Sequence, residues 1–526
     1  MRTYLALIPL LSLFSRACDV WAAPGEFDSS FGQNGIAVVL SSGSGTARSA
    51  STDDNGRVVA IGTGGDREMI ARLLVNGNPD TTFNGTGTVN SPPTTDFLGG
   101  LYGHQGVSLL PSPGGSLIAV RAADYYCAVP SCAMGYLPRL VAHRFNSNGT
   151  VDASFPEASL GVGNAAETQV LADRDGGTTV VSAGRSFAGG VTTVKRITAS
   201  GQVDVTFNTT MSGIIGCKSL PTVGGRSSRG KAMRLPDGKL LLAQGINIDP
   251  VYQVPANFPY RVCVSRFNID GTIDTSYGNN GDLLLDSLLF TSRLNMPVAL
   301  LPLPNGGAAL VLQHTRVQTN APRSVLFVIV WLTANGALDP TRFGGQGLTG
   351  PTALNVAELT AAAMQPDGKI VLAGYPEIQG VTPGADQQID YSRPVVARLH
   401  QEGGNDLTFG VGGNGYTPLI AFGRRVNPKH MYIASDGSIF VAGGAADGAY
   451  DRFESTQFAI AKLQGPEVSA PPTASQAVGG GGGCFTTRDP RMDPMLPSLV
   501  MLALLMLGMR RRRDKPKTPA VARFTA

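Results

Sequence analysis

The stretch QPDGKIVLAG, Gln365 to Gly374, puts a tight turn directly before an apolar strand. Asp-Gly supplies the positive φ that a close hairpin needs at little steric cost. The run KIVLAG lacks polar alternation, so the strand it forms has to be covered on both faces. The arrangement returns as DDNGRVVAIG from Asp53, LPDGKLLLAQG from Leu235, LPNGGAALVL from Leu303 and ASDGSIFVAGG from Ala434. Looser copies are PSPGGSLIAV from Pro111 and DRDGGTTVVSAG from Asp173. Aligned on one glycine, the copies fall at Gly56, Gly115, Gly176, Gly238, Gly306, Gly368 and Gly437, in steps of 59, 61, 62, 68, 62 and 69 residues.

A second pattern, R-[LFI]-x-x-x-G-x-x-D-x-x-[FY], starts at Arg72, Arg144, Arg196, Arg266 and Arg398. One copy departs from it: WLTANGALDPTRF has Trp331 in the arginine position and one extra residue before Phe343. A seventh copy is split, with AKLQG (Ala461 to Gly465) as its beginning and GEFDSSFG (Gly25 to Gly32) as its later half. Seven units of roughly 60 residues, several strands each and no helix period, predict an all-β, seven-bladed β-propeller. Radial stacking lets each small sheet cover its neighbours. The split copy predicts that strands from the two termini share the closing blade, which leaves no long open edge.

Within the turns, the aspartate carboxylate is expected to accept backbone N–H groups, and the aromatic to pack between blades. DRDGG at Asp173 and NIDGTID at Asn268 are similar to acidic ion loops but lack an EF-hand's further ligands and distal Glu, so calcium is the weaker reading. The repeated arginine is expected to pair with the repeat aspartate or a neighbouring carbonyl. The alternative is an arginine ring lining the central channel.

The units resemble the delta-60 repeat of bacterial proteins, on the PDGK-type turn with its AG ending and the R-L-x-x-x-G-x-x-D-x-x-F segment. The resemblance runs from Gly25 to about Gly465 and implies a β-propeller. No defined activity comes with it.

The ends are different material. Residues 1–22 combine Arg2, an apolar run from Leu5 to Phe14 and Val20-Trp21-Ala22, and read as a secretory signal peptide cut near Ala22. Residues 23–465 form the expected propeller, 466–483 a Pro/Gly-rich linker, 484–513 a short apolar span with an arginine block, and 514–526 a disordered cytoplasmic tail. The apolar run from Met495 to Met509 would span about 22 Å as a helix, short of the roughly 30 Å hydrocarbon core. The glycines ending at Gly483, then Cys484, the short span and Arg510 to Arg513 resemble the C-terminal sorting signals of Gram-negative surface proteins. That resemblance implies cleavage by a membrane sorting protease and a place at the cell surface or outer membrane, with the membrane engaged before processing.

Composition excludes some functions. Residues 23–483 carry 31 basic and 34 acidic side chains, so nucleic-acid binding has no electrostatic support. No metal, cofactor or catalytic motif stands out. The five histidines, His104, His143, His314, His400 and His430, form no H-E-x-x-H or helix-spaced pair. In an oxidising compartment Cys127 with Cys132 and Cys217 with Cys263 are the expected disulfides. The reading is an exported binding or scaffold module with an unknown protein or glycan ligand. The alternative is a hydrolase or lyase with its site at the channel mouth. Intact-mass analysis of the mature protein is expected to place the N-terminus at Ala23, after signal peptidase, and the C-terminus near Cys484. A tail intact through Ala526 removes the sorting reading.

Overall fold

The computed structural model describes residues 23–39, 44–65, 67–90, 104–126, 136–162, 168–184, 191–207, 226–247, 260–285, 293–318, 321–342, 348–349, 358–376, 389–401, 403–447 and 456–465. The leader, the linker beyond residue 465, the tail and every cysteine but Cys263 lie outside them. The chain divides into two compact units, Met1–Val468 and Ser469–Ala526, and all described residues belong to the first. Among them, no helix is long and apolar enough to cross a membrane.

The described residues are all-β apart from one 3-10 turn at Pro113–Gly115. They form seven small antiparallel sheets, and the chain is a seven-bladed β-propeller. Blade 1 runs Gly45–Thr52, Val58–Gly64, Arg67–Leu73 and Thr88–Asn90, and blade 2 His104–Pro111, Leu117–Tyr126, Tyr136–Phe145 and Ala158–Val162. Blade 3 is described in three strands, Thr168–Ala172, Thr178–Gly184 and Val191–Ile197. Blade 4 is Arg226–Arg234, Leu240–Asn247, Tyr260–Phe267 and Asp282–Leu284, and blade 5 Arg293–Pro302, Ala308–Gln318, Ala321–Leu332 and Leu348–Thr349. Blade 6 is Glu358–Met364, Ile370–Tyr375, Val395–Leu399 and Tyr416–Pro418. Blade 7 begins with Arg424–Ile433, Ile439–Asp447 and Gln457–Leu463, and Ile36–Val39 from the other end of the chain completes it. The register is Ile36 opposite Ala461 through Val39 opposite Phe458, as the split repeat requires. Ile420–Ala421 adds a short strand on the inner side of blade 7.

The first strand of each blade touches the first strand or adjoining elements of both neighbouring blades, and these strands line the axis. Ile370–Tyr375 and Val395–Leu399 are buried at every position, whereas Glu358–Met364 alternates. A middle strand has a blade on each side, but an inner strand has only the channel beyond its edge. The core is accordingly seven apolar layers, one at each junction between neighbouring blades. Each fully buried Leu, Ile or Phe in them contributes about 1.5–3 kcal/mol.

Both repeated half-motifs lie on one side of the ring and touch. Lys239 of one PDGK turn bonds Asp274 at 2.7 Å, and Lys369 reaches Asp406 at 3.0 Å. Arg57, in the equivalent position, bonds Asp80 at 3.2 Å. The motif aspartate also accepts from the Ser or Thr two residues on, through both N–H and hydroxyl, in all seven copies.

In blades 1, 2 and 4 the arginine ties its blade to the next, whereas Arg196 and Arg398 bond groups of their own blades. Arg72 Nε donates to Asp80 at 2.8 Å, its guanidinium lies 4.6 Å above the Phe83 ring, and Nη1 donates to the Ser147 carbonyl of blade 2 at 2.6 Å. Arg144 reaches Ala199 of blade 3 at 3.3 Å, and Arg266 reaches Ala334 of blade 5 at 2.5 Å. The motif glycines are needed where the next turn closes on this aromatic. A Cβ on Gly336 would come within 2.8 Å of both Gly278 N and the Tyr277 ring. In the departing copy the partners exchange places: Arg342 lies 4.6 Å above the Trp331 ring and donates to the Gln401 carbonyl of blade 6 at 3.1 Å. In the split copy Lys462 stands in for arginine and bonds Asp28 at 2.8 Å.

Two expectations follow for stability. Arg398 and Asp406 are 1% and 0% exposed, so Arg398→Ala strands a buried carboxylate. Because Lys369 still reaches Asp406, the loss should lie near the low end for a broken buried pair, about 3 kcal/mol in urea denaturation. Arg144→Ala, at a pair 26% and 15% exposed, should cost clearly less; equal losses would count against the packing argument.

The second concerns acid. All seven motif aspartates are held below the ordinary carboxylate value. In Asp152, Asp204 and Asp339 the hydroxyl two residues on is the main cause. In Asp28, Asp80, Asp274 and Asp406 burial pushes the other way and is outweighed by hydrogen bonds and cations. Depressed carboxylates stabilise fully above their unfolded pKa near 3.9, and that share is lost as pH falls through the folded values. Burial, then the Arg121 charge, drives His143 down to about 3, even with Glu68 Oε2 at 3.5 Å. Burial, then Lys231, drives His430 down to about 4. A histidine kept neutral in the fold loses stability already below about pH 6.5, where the unfolded chain takes the proton. Denaturation across pH should show a shallow decline below about 6.5 and a steeper one below about 4. His143→Gln should lessen the first, with His430 still contributing, and leave the second unchanged.

Candidate functional site

The repeat arginines sit near the ends of the third strands, and Arg72 and Arg398 are each 1% exposed. They are framework and do not ring the channel. The acidic turns are likewise occupied. Asp173 accepts from Thr179 at 3.0 Å, Arg196 at 2.9 Å and Arg234 at 2.5 Å, and Asp175 pairs with Arg196. Asp270 accepts the Thr272 N–H and hydroxyl at 2.9 and 2.7 Å. These contacts engage the carboxylates with protein donors, including Arg234 from blade 4. Among the described residues, no group of three or more His, Cys, Asp and Glu is placed to hold a metal.

The three histidines whose side chains are described, His143, His400 and His430, do not meet. His143 is buried between blades 1 and 2 beside Glu68, whereas His400 is 43% exposed, 3.7 Å from Asp406. His430 lies on the inner strand of blade 7, where its Nδ1 accepts the Ala50 N–H of blade 1 at 3.3 Å. Cys263 is buried and disulfide-bonded. Its expected partner Cys217 lies outside the described residues, as do Cys127 and Cys132 and the processing positions Ala22, Gly483 and Cys484.

A recess opens on the side of the DG turns, where inner strands run into them. It is a cavity of about 970 Å³ formed where the inner strands of blades 5, 6 and 7 run into their turns, with Pro236 of blade 4 at its edge. Its wall is mainly apolar, with Leu301, Pro302, Ala363, Met364 and Met431 among the lining. Such a wall with few polar groups is the usual make-up of a small-ligand site, and the volume is near the top of that range. The ionisable lining is Arg342, Asp367 and Tyr432. Arg342 is committed to Trp331 and Gln401, and Asp367 accepts the Lys369 N–H at 3.1 Å.

Tyr432 is different. Its ring stacks on Phe440, with centroids 5.0 Å apart and planes at 3°, which fixes its direction. Its hydroxyl oxygen is buried with no hydrogen-bond partner. Burial, then the nearby Asp436 charge, pushes the phenol well above its ordinary value, so it remains a neutral donor. Sequence reading did not single out this residue. It lies in the strand before ASDG, outside both half-motifs, and the cavity takes walls from four blades.

No family model matches the chain, and no curated protein matches it. Among solved structures it is similar to the polysaccharide lyase Uly1, with 13% identity over 84% of this chain and 96% of that one, at a TM-score of 0.47. It is similar to a virginiamycin B lyase from Staphylococcus aureus, with 11% identity over 81% and 98% of the two chains and a TM-score of 0.41. An α-L-arabinanase from Penicillium chrysogenum has 12% identity over 68% and 93%, with a TM-score of 0.39. At these identities and TM-scores none of the three bears on what this chain does.

Proposed function

We propose that the chain is an exported delta-60-type propeller that acts as a binding module, with its ligand seated in the recess on the DG-turn side. The observation that carries this is the Tyr432 hydroxyl, buried without a partner on the wall of the recess. A buried donor left unpaired costs about 1–3 kcal/mol, and a ligand acceptor placed against it removes that cost. The apolar wall adds affinity by burying a nonpolar ligand face. The ligand is therefore a compact protein segment or glycan with one apolar face and one acceptor aimed at Tyr432.

The leader and the Gly-, Cys- and Arg-bearing tail support delivery to the surface of a Gram-negative cell, with the Pro/Gly-rich stretch as spacer. Disulfides Cys127–Cys132 and Cys217–Cys263 fit that compartment. A hydrolase or lyase needs an acid and a base converging on the substrate. Of the groups lining the recess, only Asp367 is a carboxylate, and its turn already engages it.

Protein and glycan arrays probed with the mature protein would find the ligand, and two variants would place it. Tyr432→Phe should leave stability unchanged or slightly raised, because the lost hydroxyl has no partner, while binding falls about tenfold. Ala362→Trp should block the recess. A ligand that tolerates both substitutions binds elsewhere, and conversion of the ligand to product would replace the binding reading with the enzymatic one.

A further inference from the structure

The inner strands, counted by sequence, carry charge of the opposite sign to the body, although Arg234 and Arg424 pair with Asp173 and Asp447 outside them. Residues 23–483 are slightly acidic, with 31 basic and 34 acidic side chains. The seven inner strands hold nine Lys or Arg residues and one acid, Glu358. In six of the seven blades the inner strand slips register by one residue against its neighbour. A bulge leaves one residue outside the ladder and re-aims its side chain. In blades 1 and 7, which adjoin, the bulged residues are Arg48 and Lys429.

The bond from Ala50 N–H to His430 Nδ1 holds the two inner strands together next to these bulges, two residues from Arg48 and one from Lys429. Arg48 Nε is buried with no hydrogen-bond partner. Lys429, on the inner strand of blade 7, is exposed. Loss of solvation, then repulsion from Arg48, lowers its ammonium pKa, while Glu358 pulls it the other way. Glu358 is itself held by the Tyr391 hydroxyl at 2.7 Å. Lys429 and Arg48 thus answer to a single carboxylate, Glu358, and positive charge is in excess at the two bulges. A partly desolvated charge in excess is costly unless it is paired and hydrogen-bonded. A carboxylate or sulfate supplies both, and its paired oxygens match a guanidinium fork.

We propose that the axial channel binds an oxyanion at Arg48 and Lys429, either as the acidic group of a larger ligand or as a free inorganic anion. The site is set by the two bulges and stands apart from the Tyr432 recess, so either can fail without the other. The test is acylation of Lys429 in the full mature protein, read by peptide mass spectrometry. It is run in chloride, sulfate or glucuronate at equal ionic strength. Acylation should slow about tenfold when the bound anion is at ten times its Kd, and chloride should give no such protection. Protection by both oxyanions identifies a general oxyanion site; protection by glucuronate alone identifies the acidic group of a sugar ligand. Arg48→Gln should abolish protection, and Arg48→Lys, which keeps the charge without the fork, should restore part of it. If the glutamine variant does not fold, the lysine variant carries the test through its weakened protection. Equal acylation in all three salts, or full protection in Arg48→Gln, overturns the proposal.

Discussion

Directional bonds from a guanidinium to the next blade's turn, made from the third strand in blades 1, 2 and 4 and by Arg342 in blade 5, fix where those blades stand. The apolar layers between blades supply most of the stabilisation, but they are non-directional. Val, Leu and Ala faces would tolerate a slide of one sheet along another. The Arg72 cluster does not: the same side chain bonds Asp80, covers the Phe83 ring and donates to the Ser147 carbonyl of the following blade. Backbone bonds reinforce it, as from Asn84 N to Asn148 O and from Gly278 N to Asn335 O. Burial drives the blades together, and the arginine and its turn set their register.

The exceptions show which part of the motif is physically required. In blade 5 the arginine position holds Trp331, yet Arg342 returns the guanidinium to the face of an aromatic ring and to the next blade's carbonyl. The arrangement is kept although the residues have traded positions. In the closing blade Lys462 replaces arginine and bonds Asp28 from the opposite end of the chain. An ammonium lacks the planar fork, but this junction is also closed by strand pairing from Ile36 to Val39.

The fold was legible because its determinants are local and repeated. Asp-Gly before an unbroken apolar run marks a hairpin feeding a doubly covered strand, and seven copies in one period leave few architectures. The split seventh copy was legible for the same reason. Pairs such as Lys239 with Asp274 were not, since each half-motif is complete in sequence and their contact exists only after strands two and three have paired. The candidate sites were hidden more deeply. A bulge is one residue outside a ladder, with no compositional mark, so Arg48 and Lys429 look like any other strand cations. Tyr432 acquires meaning only when four blades bring their turns around it.

Charge is partitioned by radius. The repeat places an aspartate in every outer turn, where Ser or Thr and a cation hold it ionised, so the motif that builds the ring also spreads negative charge around its periphery. The inner strands lie outside both half-motifs, are free of that requirement, and have accumulated cations instead. An average over the whole body reports near-neutrality, because the two populations cancel in the sum while remaining apart in space. A channel walled by low-dielectric protein concentrates the field of the few charges within it. A small excess along the axis therefore acts on an anion more strongly than the larger number of paired charges at the rim.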